Sequence, residues 1–144
     1  MDELKSLTYL FRSQSLAVLA TESEGQPHSC LVAFAYADDL KHLLFATRRD
    51  TRKFQDIVKN PLVAMLIDNR SNGEADFKQA VAVTAKGSAQ ELSADEMDRW
   101  ADSYLNRHPY LGAFLKDGKV ALLKIEVKEY LLARFDSTEV IKPG

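Results

Sequence analysis

The chain has 144 residues, 46% of them hydrophobic, enough for one globular domain with its own core and with no break in composition that would mark a second. A formal charge of −2 and a pI near 5.9 argue against a general nucleic-acid binder, whose electrostatic footprint makes the whole domain basic. Cys30 is alone, which excludes an intrachain disulfide or a cysteine-based metal site, and its neighbours Leu31 and Val32 predict a buried thiol. The segment Met1-Asp2-Glu3-Leu4-Lys5 lacks a signal-peptide pattern and no apolar run approaches the length of a bilayer span. A cytoplasmic location with neither nucleic-acid nor membrane partners is expected.

Leu4, Leu7, Leu10 and Phe11 recur at helical spacing, which predicts an amphipathic helix over 2–13 acting as a lid on the core. Residues 15–21 form a continuous apolar strand; 22–27 carry turn chemistry and lead into a second strand over 28–36. Ala37-Asp38-Asp39 turns the chain into a third strand, 42–47. Beyond it, Phe54, Ile57 and Val58 mark a helix over 51–59 that Pro61 stops, with Asp50 as its predicted N-cap. Residues 62–67 read as a buried strand running into a long polar loop at Asp68-Asn69-Arg70-Ser71-Asn72-Gly73. Residues 80–92 alternate around Gly87, which marks a bend or bulge, as in a sheet that curves. Ser93-Ala94-Asp95-Glu96 is a capping box that launches a helix ending before Pro109, and 120–135 alternate as one or two final strands. About six strands with short turns and few helices predict a mainly β protein, an antiparallel barrel with flanking helices.

One segment breaks the ordinary charge rules. Arg48-Arg49-Asp50-Thr51-Arg52-Lys53 places four cations where a strand hands over to a helix start. The macrodipole disfavours positive charge in the first turn by roughly 0.3–1 kcal/mol per group, so Arg52 and Lys53 gain nothing there locally. A bound anion reverses the sign: free backbone N–H groups, the Thr51 hydroxyl, a guanidinium fork and an ammonium suit a phosphate monoester. A solvated basic turn is the alternative that this segment alone leaves open.

The stretch Phe45-Ala46-Thr47, then Thr51-Arg52-Lys53, then Asn60-Pro61-Leu62-Val63-Ala64-Met65-Leu66 resembles the core of the pyridoxamine 5'-phosphate oxidase-like, FMN-binding split-barrel family. The Gly25-Gln26-Pro27 turn and the bend at Gly87 fall where that family has them, so the resemblance covers roughly 15–135. It implies a six-stranded antiparallel split β-barrel and FMN as cofactor, with its phosphate held by Thr47, Thr51, Arg52 and Lys53 next to Ala46. It also implies backbone of the second strand along the flavin ring, at Leu31, Val32 and Ala33. A homodimer with FMN at the subunit interface and a small-molecule substrate follow from the same resemblance. The departures are specific: Cys30 and Ala35 stand where the oxidase has an Arg and a Lys, Ala82 aligns with a cofactor-binding Gln, and 136–144 lack the Arg- and Trp-bearing substrate segment. These argue against pyridoxamine phosphate as the substrate.

The other chemistry-bearing residues carry weaker signals. His28, His42 and His108 lack paired ligand spacing, so no metal site is predicted, and His108 beside Pro109 reads first as a helix C-cap. Trp100 and Tyr104 read first as core or dimer contacts, with flavin stacking as the other reading. No side chain stands out as a general acid or base, and no catalytic residue is assigned. The leading expectation is an FMN flavoprotein oxidoreductase acting on an unidentified small molecule. Its rivals are a non-catalytic FMN-binding or sensing protein and a haem-binding or haem-degrading split barrel that draws its axial ligand from the histidines or tyrosines. A deazaflavin is a further cofactor that relatives accommodate.

Overall fold

A computed structural model describes residues 2–144. It begins with α1 (Glu3–Ser13), capped by Asp2, whose carboxylate accepts from the Leu4 amide at 3.2 Å. Three strands follow: β1 (Leu16–Ser23), β2 (Gln26–Tyr36) and β3 (His42–Arg48). The chain then forms α2 (Arg52–Lys59), β4 (Leu62–Asp68), a short α3 (Asp76–Gln79) and β5 (Ala82–Glu91). After α4 (Ala94–Arg107), a 3-10 turn over Pro109–Leu111 leads through α5 (Gly112–Lys116) to β6 (Val120–Arg134) and β7 (Ser137–Ile141).

The strands pair in the order β3-β2-β1-β4-β5-β6-β7, all antiparallel, and β3 also pairs with β6. The first six therefore close into a barrel, as the resemblance implied, and β7 is an addition that the sequence reading did not contain. Closure works because β6 is 15 residues long: its first half pairs with β3 and its last five residues with β7. Between these halves lies a bulge. Gly87 faces Val127 while Lys86 faces Glu129, so β6 carries one extra residue, Lys128. A Cβ at Gly87 would sit 2.2 Å from the Glu126 carbonyl oxygen, so only glycine fits this close approach.

The hairpin between β1 and β2 is tighter than expected, because the strands run to Ser23 and Gln26 and leave only Glu24-Gly25 as the loop. Both have positive φ, 56° and 81°, which is the primed turn that matches strand twist. The loop after β4 is likewise interrupted by α3. Asp76 accepts from the amides of Ser71 and Asn72 and so closes that loop locally.

The interior is filled from both ends of the chain. Phe11 of α1 is fully buried and meets Phe34 edge-on at 5.9 Å, with Tyr36 and Tyr130 at 5.7 Å each, so α1 is the lid that its periodicity predicted. Burying such a ring stabilises the fold by about 2–3 kcal/mol. A second apolar cluster lies outside the barrel, where α4 covers Ala35, Leu44, Ala46 and Leu122 with Tyr104 and Met97. This explains why β3 reads as an unbroken apolar run: Leu43 and Phe45 belong to the interior, Leu44 and Ala46 to the α4 contact. Among the described residues no helix is long and apolar enough to cross a membrane.

Candidate functional site

The turn from β3 into α2 brings four of the predicted residues together. Thr47, the penultimate residue of β3, is 2% exposed, and its hydroxyl lies 3.1 Å from that of Thr51. Thr51, not Asp50, is the N-cap of α2: its side chain accepts from the Phe54 amide at 3.4 Å and donates to the Arg48 carbonyl at 2.8 Å. Asp50 is occupied elsewhere. Its carboxylate accepts from Arg48 at 3.1 and 3.2 Å, and that contact holds it below the usual carboxylate range.

The basic run divides into two halves. Arg48 bridges Asp50 and Asp117, while Arg49 pairs with Glu91 and donates to the Gly118 carbonyl at 2.8 Å. These two arginines pin the end of β3 to the β5 end and to the loop before β6. The second half is differently placed. Arg52 is 57% exposed in its side chain and has Asp56 as its partner, 3.5 Å from Nε; Lys53 has no ion pair among the described residues. The amides of Arg52 and Lys53 also lack a backbone acceptor, as expected in a first helical turn. The corner thus presents two free amides, a guanidinium edge and an ammonium, a donor set that fits a doubly charged oxyanion, beside two hydroxyls whose protons are engaged with each other and with the Arg48 carbonyl.

Leu31, Val32 and Ala33 lie on β2 beside this corner but do not act as one surface. Leu31 is 67% exposed, whereas Val32 points into the barrel interior. The β2–β3 pairing ends at Phe34–Phe45, so beyond it Ala33 and Ala46 face a gap in the ladder. Into that gap comes Tyr104 of α4, whose hydroxyl donates to the Ala33 carbonyl at 3.0 Å. Burial pushes its pKa up to about 12. The expected thiol at Cys30 is half-buried, its pKa raised by desolvation and held back by the charge of Lys53.

Two further residues of α4, one turn on, were not legible as a unit. Arg107 donates from Nε to the Phe34 carbonyl at 3.2 Å and from Nη2 to the carbonyls of Phe11 and Gln14, with its guanidinium over the rings of Phe34 and Tyr36. His108 is the C-cap, as predicted, and its Nε2 lies 2.6 Å from the Phe34 carbonyl, which can only accept, so Nε2 carries the proton. Tyr104, Arg107 and His108 are spaced i, i+3, i+4 and form one helical face clamped across β2. Helical spacing alone could have grouped them; their carbonyl partners leave no sequence signature. His42 packs against Trp100 at 5.8 Å, so that ring is a packing contact of α4.

A groove of about 840 Å³ lies elsewhere, lined by Ala20–Glu22, Leu62–Ala64, Lys86–Ser88 and Glu126–Glu129. None of the eight predicted residues lines it. Leu31 alone borders a smaller one of about 180 Å³, with Leu16, Val18 and Leu66. The chemistry of the β3–α2 corner outweighs concavity here, because the corner offers unspent donors and the large groove is mainly apolar surface between strands. Among the described residues no cluster of His, Cys, Asp and Glu could hold a metal.

Comparison with known proteins gives the family of the chain. The family model described as pyridoxamine 5'-phosphate oxidase matches residues 4–133. The chain belongs to the pyridoxamine 5'-phosphate oxidase family. A relative in Streptomyces rimosus, a 5a,11a-dehydrotetracycline/5a,11a-dehydrooxytetracycline reductase, is 33% identical over 112 residues, 73% of this chain and 76% of that protein. Among solved structures, a haem-binding protein from Mycobacterium smegmatis superposes with a TM-score of 0.85 at 12% identity, covering 99% of this chain and 59% of that one. An FAD-binding protein from Mesorhizobium loti superposes with a TM-score of 0.70 at 18% identity, covering 90% and 92%. At these identities the two structures speak for the fold alone, and the relative that resembles this chain most in sequence of the three is a reductase.

Proposed function

We propose that this protein is a flavin-dependent oxidoreductase that holds FMN by its phosphate at the β3–α2 corner. The carrying observation is the division of the basic run, in which Arg48 and Arg49 are spent on carboxylates while Arg52 and Lys53 keep donors beside two unpartnered amides. The hydroxyls of Thr47 and Thr51 flank the cradle, and Ala46 lines the strand end behind it. The backbone of Leu31, Val32 and Ala33 flanks the cofactor ring, with Tyr104 fixing the Ala33 carbonyl. When bound, the flavin supplies hydride or electron transfer to a small-molecule substrate. The chain's own residues bind, orient and shield it; no acid or base is assigned. The cofactor lies at the interface of a homodimer, whose second copy supplies contacts that Cys30 and Ala35 do not. The reductase relative at 33% identity supports the oxidoreductase class.

Haem is less well served by these residues. His108 is buried with Nε2 committed to the Phe34 carbonyl and His42 is packed on Trp100, which leaves His28 among the histidines and the exposed Tyr9 and Tyr110 among the tyrosines. The test is the visible spectrum of the purified protein, before and after addition of FMN and, separately, of haem. The two-banded spectrum of bound flavin is the expected result. A sharp haem band with no FMN binding would overturn the reading, and bound flavin without turnover of reduced nicotinamides or common acceptors would reduce it to a binding or sensing protein.

A further inference from the structure

Asp56 is the one buried carboxylate among the described residues, 4% exposed on the inner face of α2. Burying an ionised carboxylate is costly unless it is paired and hydrogen-bonded. Two groups answer it. Oδ2 accepts from the Thr21 hydroxyl of β1 at 3.0 Å, and Oδ1 lies 3.5 Å from Nε of Arg52, one turn earlier on the same helix. Arg52 is thus its sole cationic partner among the described residues. The contact engages the Nε edge of the guanidinium, while the side chain remains 57% exposed. A guanidinium has five donors in a fixed fork, so an ion pair to Asp56 through Nε leaves both Nη groups of Arg52 available to a ligand. The helix is held in turn: besides Thr21, the adjacent Glu22 of β1 accepts from Asn60 at the C-cap of α2 at 2.7 Å.

We infer that Asp56 is a positioning residue that aims Arg52 at the cofactor phosphate, and that the pair makes the site select flavins carrying a phosphate over those without one. The inference rests on the proposed placement of the phosphate at the β3–α2 corner. Asp56 does not touch the ligand. It acts through Arg52, and because an ammonium on a flexible stem lacks the rigid fork of a guanidinium, lysine at position 52 would not be held by Asp56 in a set direction toward a phosphate.

The experiment is a double-mutant cycle read by equilibrium titration with FMN and with riboflavin. Asp56→Asn keeps the shape and an acceptor for Thr21 and removes the charge. In the otherwise native protein it is expected to weaken FMN binding about tenfold, the scale on which contacting residues couple, and to leave riboflavin binding unchanged. In the Arg52→Ala background it should change neither. An equal loss of FMN affinity in both backgrounds, or an equal loss of riboflavin binding, would show a structural role only and overturn the inference. Tighter FMN binding in Asp56→Asn would mean that Asp56 competes for Arg52, which also overturns it. If Arg52→Ala alone leaves FMN affinity unchanged, it is the phosphate placement that fails. Should Asp56→Asn not fold, Arg52→Lys decides: a loss of FMN affinity as large as in Arg52→Ala is expected, and native affinity overturns the inference.

Discussion

Two helix ends meet the β2–β3 region, and they treat positive charge in opposite ways. At the C-terminus of α4, Arg107 sits at the favourable pole of the macrodipole and spends its donors on three protein carbonyls. At the N-terminus of α2, Arg52 and Lys53 sit at the unfavourable pole, and Lys53 has no ion pair among the described residues. The first cation is a structural rivet. The second pair has capacity left over, which is the physical difference between a group that holds the fold and a group that can hold a ligand.

The largest effect that sharpens this contrast is on stability. Arg107→Ala removes the bonds to Phe11, Gln14 and Phe34 together with the stacking on Phe34 and Tyr36, and should cost about 3 kcal/mol in urea unfolding. A loss under 1 kcal/mol would show that the clamp is dispensable. Next, Arg52→Ala should weaken FMN binding by about 2 kcal/mol, roughly 30-fold, and should also lower stability, because it leaves the buried Asp56 carboxylate without its cationic partner. Arg48→Ala should leave FMN affinity within about twofold, since that guanidinium already serves Asp50 and Asp117. Equal losses in both variants would erase the division of the basic run.

Smaller is the effect of Tyr104→Phe, about 1 kcal/mol from the unpaired Ala33 carbonyl. It also carries a pH signature. The folded-state pKa of Tyr104, about 12, lies above the ordinary value of 10, so its contribution is fully present below pH 10 and is lost as pH rises through 12. The stability difference between native protein and variant should therefore shrink between those values, and a difference constant across that window would contradict the buried hydroxyl. Least affected is Arg49→Ala, where the half-exposed pair with Glu91 predicts a change under about 1 kcal/mol by thermal melting.

The sequence made most of the barrel legible because its strands are long, strongly patterned and bounded by Gly and Pro. It was least reliable where two residues competed for one role. Asp50 and Thr51 are both good N-caps, and the choice fell to Thr51 because Arg48 draws the Asp50 carboxylate away. The strand β7 was missed although Ser137-Thr138-Glu139-Val140-Ile141 is β-branched and follows a two-residue turn. Its polar, exposed outer residues gave no apolar period. Of the site, the cation cluster could be read because charge at the wrong helix pole is visible in one dimension. Which cations remain free could not, since Asp117 and Glu91 lie 69 and 42 positions away from the arginines that they neutralise. The α4 clamp was hidden for the same reason: its acceptors are backbone carbonyls, which every residue has.

The most direct test of the account is the ratio of FMN to riboflavin affinity, measured by equilibrium titration of the native protein and of Arg52→Ala. A phosphate cradle at the β3–α2 corner predicts a strong preference for FMN in the native protein that falls about 30-fold in the variant. Equal affinity for the two flavins in the native protein would contradict it.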